Sequence, residues 1–130
     1  MATIGPSARR ACLATVSVAL ACIDPFAPPE GTYRYDPPAN YAAAWRSVEA
    51  CSGLRGDLGR VRWHAVPEAF PCPPGRCAGA WEPPHNAYIA EPWVYDSVGG
   101  YFTVRHEMLH DLVGTLSHPP VFERCGLVRR

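Results

Sequence analysis

Two histidines four residues apart enclose a glutamate in His106-Glu107-Met108-Leu109-His110, and this HExxH spacing could do chemistry if it lies on a helix. Positions i and i+4 of a helix are about 40° apart around the axis and one turn apart along it, so both imidazoles can reach one cation. Glu107 stands next round the helix, where its carboxylate can take a proton from water acidified by that cation without ligating it. With 5 His in 130 residues, chance supplies only about 0.01 such matches. The alternative is a structural helix whose His106 and His110 merely face solvent.

A catalytic zinc wants a third protein ligand and an open fourth position. His118 follows His110 by eight residues, beyond a glycine at Gly114 where the chain can turn back, and is the expected third ligand to Zn2+. Glu123 and Asp111 are the alternatives. Asp111 is also a candidate acceptor for a ligand imidazole, weighed against an exposed acid near a helix C-terminus, and Tyr88, Tyr95 and Tyr101 are candidate oxyanion donors, each weighed against an ordinary packed aromatic. His64 and His85 are expected at the surface, with a place lining the cleft as the alternative for His85.

The elements that must position these groups follow from periodicity. The run from Ala39 to Ala50 places Tyr41, Ala44 or Trp45, Val48 and Cys51 on one face and predicts a first helix, ended by Ser52-Gly53. Arg60–Val66 alternates Val61, Trp63 and Ala65 with Arg60, Arg62 and His64, the pattern of a half-buried strand. Asn86–Ala90 reads as a second strand, made an edge by Pro83-Pro84 and Pro92. Between them, six prolines from Pro67 to Pro84 predict irregular chain, with a short strand at Ala78–Trp81. Tyr101–Val113 is the second helix, seated by Met108, Leu109, Leu112 and Val113 and ended by Gly114. The expected fold is α+β: two main helices on a small, about three-stranded sheet, loop-rich and stapled by disulfides.

With its HExxH helix, the His118-Pro119 step and Cys125, the chain resembles the zincin metallopeptidases, and among them small HExxH proteins of the bacterial lipoprotein type. The resemblance spans roughly Tyr41 to Cys125. It departs from the metzincin pattern HExxHxxGxxH: the glycine is one residue late and the third histidine two. The resemblance implies a minimal zincin-like fold and an exported zinc metallopeptidase, with His106, His110 and His118 as ligands and Glu107 as general base. It also implies that a peptide or protein substrate adds as a strand to an edge beside the helix, for which Asn86–Ala90 is the candidate. A non-catalytic, zinc-stabilised binding module at the cell surface is the rival, and hydrolysis of a non-peptide bond is a third class.

The N-terminus reads as an export signal. Arg9 and Arg10 precede the apolar stretch Ala11 to Ala21, which is too short to cross a bilayer core, where a helix needs about 20 residues. Ala19-Leu20-Ala21-Cys22 suits either a lipobox, with lipidation at Cys22, or ordinary secretion. Expected boundaries are a signal over 1–21, a proline-rich tether over 22–38 and the catalytic domain over 39–130. Beyond the signal and Cys22, the four remaining cysteines suit two disulfides in an oxidising compartment, paired as Cys72 with Cys77 and Cys51 with Cys125, against a four-Cys zinc site. A formal net charge of zero with dispersed arginines excludes the basic stripe of a nucleic-acid binder. A monomer is expected, extracytoplasmic and touching the membrane only through a lipid on Cys22.

Overall fold

A computed structural model describes residues 27–72 and 75–129. The signal over 1–21 and the lipidation candidate Cys22 lie outside the described residues. The first helix, α1 (Asn40–Ser52), buries Tyr41, Ala44, Trp45, Val48 and Ser52 along one stripe, the 3.6-residue repeat of an amphipathic helix. It stops at Gly53, whose φ of 74° lets its N–H turn back to the Glu49 carbonyl at 2.9 Å.

The main sheet has four strands. In chain order these are β1 (Tyr33–Arg34) and β2 (Arg62–Val66), then, beyond an intervening hairpin of β3 (Phe70–Cys72) and β4 (Gly75–Cys77), β5 (Gly79–Glu82) and β6 (Asn86–Ala90). Their spatial order is β1-β2-β6-β5, with β2 and β6 parallel and both outer strands antiparallel to their neighbours. The hairpin pairs β3 (Phe70–Cys72) with β4 (Gly75–Cys77) as a separate two-stranded sheet. Three further helices follow among the described residues: α2 (Glu91–Val94), α3 (Phe102–Val113) and α4 (Val121–Arg124).

Helices α1 and α3 cover one face of the sheet, where Trp63 and Ile89 meet Tyr41, Val48, Met108, Leu109 and Phe122, all essentially inaccessible. Each such side chain contributes about 1.5–3 kcal/mol of burial. The opposite face is smaller, with Val66, Phe70 and Tyr88 under the hairpin. Cys51 and Cys125 are joined, tying the end of α1 to the residue after α4, and Arg124 donates to the Cys51 and Ser52 carbonyls across the same seam. Cys72 and Cys77 are joined across the hairpin. The fold is a small disulfide-stapled α+β domain. Disulfides point to an extracytoplasmic location, and among the described residues no helix is long and apolar enough to cross a membrane.

Several expectations are corrected by the topology. Asn86–Ala90 is not an edge: β6 lies between β2 and β5, because its prolines flank the strand and remove no ladder hydrogen bond from it. The main sheet has four strands rather than about three. The proline-rich stretch from Pro67 to Pro84 holds, besides the short strand expected at Ala78–Trp81 and found as β5, the β3–β4 hairpin, whose pairing local sequence does not reveal. The segment 22–38 is not all tether, for Tyr33 and Arg34 pair with Ala65 and His64, and Tyr35 packs on Tyr41 and Trp63.

Candidate metal centre

Helix α3 presents His106 and His110 one turn apart, and the chain then turns at Gly114, whose φ is 76°. That turn brings His118 back over the helix. The three Nε2 atoms form a near-equilateral triangle with sides of 3.0, 3.2 and 3.2 Å. Three imidazole nitrogens sharing a tetrahedral ion at about 2.0–2.1 Å lie about 3.3 Å apart, so the triangle is close to the size such an ion requires. Glu123 is exposed on α4 and Asp111 is buried elsewhere; neither belongs to this group.

The tautomers strengthen the assignment. His106 Nδ1 donates to the Leu127 carbonyl at 2.6 Å and His110 Nδ1 donates to the Thr115 carbonyl at 2.7 Å. With the Nδ1 protons so committed, the Nε2 lone pairs of the neutral rings face one another, an arrangement that repels unless a cation stands between them. Burial lowers the pKa of both rings against the help of those carbonyls, that of His110 to about 4, which keeps them neutral and available as ligands. Phe122, fully buried, packs against all three imidazoles, its ring centroid 4.7–5.1 Å from theirs. Trp81 stacks parallel to His110 at 6.2 Å.

Beside the triangle lies a cavity of about 480 Å³, bordered by His106, His118, Glu107, Thr103 and the backbone of β5 at Gly79. Glu107 is 4% exposed, and burial pushes its carboxyl up to about 8. Strand β5 comes so close that a Cβ at Gly79 would stand 2.8 Å from Glu107 Oε1 and 2.7 Å from Thr103 Cγ2. Only glycine lets the strand and the carboxyl share this space. Because the Ala90 N–H donates to the Ala78 carbonyl at 2.8 Å, the antiparallel alternation turns the backbone groups of Gly79 and Trp81 toward the outer edge of β5.

The other candidates settle elsewhere. Asp111 accepts no ligand imidazole; its Oδ1 receives Trp81 Nε1–H at 2.9 Å and His85 Nδ1 at 3.0 Å, which makes His85 a half-buried partner rather than a surface residue. His64 is also half-buried, stacked on Tyr88 at 4.5 Å. None of Tyr88, Tyr95 or Tyr101 borders the cavity: Tyr88 lies on the other face of the sheet, Tyr95 is 69% exposed and Tyr101 packs on Tyr41. Phe122, Trp81, Gly79 and the carbonyls of Thr115 and Leu127 are parts of the site that spacing alone did not mark. The nearest signal was the apolar Phe122 between His118 and Cys125.

No protein-family model matches the chain, and neither a curated protein nor a solved structure matches it.

Proposed function

We propose that this domain is an exported zinc metallopeptidase of zincin type, anchored through a lipid on Cys22. The observation that carries the proposal is the convergence of three Nε2 atoms, two of them on rings whose Nδ1 protons are committed to carbonyls, beside a cavity that a buried carboxyl borders. His106, His110 and His118 would hold the ion. Zinc supplies Lewis-acid chemistry when bound, acidifying water and polarising a carbonyl.

The chain's own residues do the rest. Glu107 is next to the ligands on α3, and with a cation nearby its buried carboxyl favours the ionised form, able to take a proton and return it to a leaving amine. The outer edge of β5 offers the backbone groups of Gly79 and Trp81 to an extended peptide, which would add as a further strand. Recognition of this kind belongs to β5 and not to β6, whose two edges are occupied.

One observation favours a structural role for the same ion: its ligands come from α3 and from the tail, so the ion would also tie the two together. The cavity and the position of Glu107 favour catalysis. The test is Glu107→Gln, which should keep about one zinc per chain while losing hydrolysis of an unfolded protein substrate. A parent protein that binds zinc yet cleaves nothing in a broad peptide library would contradict the peptidase and leave the structural ion.

A further inference from the structure

The cavity beside the histidines is flanked by two guanidinium groups from segments distant in sequence. Arg76 stands on β4, exposed, its guanidinium donating to the Ala69 carbonyl. Arg129 follows the tail, also exposed, with its guanidinium carbon 4.8 Å from the centre of the Phe102 ring. Both border the cavity that His106, His118 and Glu107 border. Among the described residues neither arginine makes an ion pair with a carboxylate. Among the described residues the one acidic side chain bordering this space is Glu107, which is buried.

We propose that Arg76 and Arg129 form a subsite for a carboxylate carried by the peptide substrate, next to the candidate metal centre. The inference rests on the metallopeptidase proposal for that site. A guanidinium has five donors in a planar fork that matches a carboxylate, and it is always charged. Arg76 spends donors on one carbonyl and Arg129 stacks through its face, so each keeps N–H groups for a ligand. Arg76 is carried by the hairpin closed by Cys72–Cys77, and Arg129 is held by its contact with the Phe102 ring. Preorganised cations lose little freedom on binding an anion. A substrate without a carboxylate here would desolvate two unpaired charges, which turns the pair into a selector. The same chemistry would serve an Asp or Glu side chain near the scissile bond or a free chain terminus.

Two peptide pairs distinguish these sources. One exchanges a single Glu for Gln in a C-terminally amidated peptide, and the other keeps a neutral sequence and exchanges the free carboxyl for an amide. Binding is measured by calorimetry on the zinc-loaded full chain carrying Glu107→Gln, so that no turnover intervenes. The acidic member of at least one pair should bind about tenfold tighter, the size of one charge-assisted contact. Preference in the first pair assigns a side-chain carboxylate, and preference in the second a terminal one. Adding Arg76→Gln or Arg129→Gln should bring that ratio toward one, with zinc content and melting temperature reporting that each variant folds. Ratios near one in the starting protein, or a ratio that survives both arginine substitutions, would overturn the subsite. Turnover by the wild-type chain without acidic preference would overturn the subsite alone. Acidic preference without turnover would keep the subsite and remove the peptidase.

Discussion

The tail from Thr115 to Leu127 and the hairpin of β3 and β4 both lead to the same cavity, and each carries one end or both ends of a disulfide, yet they serve it differently. The tail contributes the third imidazole, the Phe122 ring packed against all three histidines and the Leu127 carbonyl that orients His106. Its disulfide reaches back to α1 across a sequence separation of 74. The hairpin contributes a cavity wall and Arg76, and its disulfide spans a separation of 5, within its own two strands. A long-range staple secures the candidate metal ligands, whereas a local one shapes the approach to them.

Removing the long-range staple should have the largest effect. Replacing Cys51 and Cys125 together by serine should cost about 4 kcal/mol in the chain-entropy view, read by chemical denaturation, and should weaken zinc binding in a competitive titration because the tail holds His118. Replacing Cys72 and Cys77 together should cost about 2 kcal/mol on the same basis and leave zinc affinity unchanged. Equal losses of zinc affinity in the two variants would erase the distinction.

The metal-free protein sharpens it through pH. Folded Glu107 keeps its proton to about pH 8, whereas the unfolded chain releases it near 4.5. The unfolded state therefore binds fewer protons across that window, and stability falls as pH rises. His106 and His110 are depressed from 6.5 and act oppositely, adding stability as pH rises to that value. Between pH 6.5 and 8 only the fall remains, on the order of 2 kcal/mol. Melting temperature measured after chelation should drop over this interval in the parent and stay level in Glu107→Gln. The smallest effect is expected at Gly79→Ala, whose added methyl would displace Glu107 while sparing the histidines: hydrolysis should slow about tenfold at unchanged zinc content.

The two regions also differ in how far local sequence disclosed them. The HExxH turn was legible because its geometry is that of a single helix, and His118 because a glycine stop and a short return leave it little choice of place. The packing of Phe122 against the imidazoles and the two orienting carbonyls depends on how the tail folds back, which no periodicity encodes. Prolines around Asn86–Ala90 suggested an edge, but strand order is decided by pairings between distant segments, and β5 took the outer place. Asp111 was a candidate either to hold a ligand imidazole or to stand exposed near the helix C-terminus; it is buried, and its bonds run to Trp81 and His85, brought together by the sheet packing on α3.

Whether three Nε2 atoms face one ion is read by X-ray absorption spectroscopy on the purified, zinc-loaded chain. One equivalent of zinc with three imidazole nitrogens and one further light-atom ligand near about 2.0 Å, reduced to two imidazoles or lost outright in His118→Ala, is the predicted result. Zinc that fails to bind stoichiometrically, or binds with the same imidazole count in His118→Ala, would contradict it.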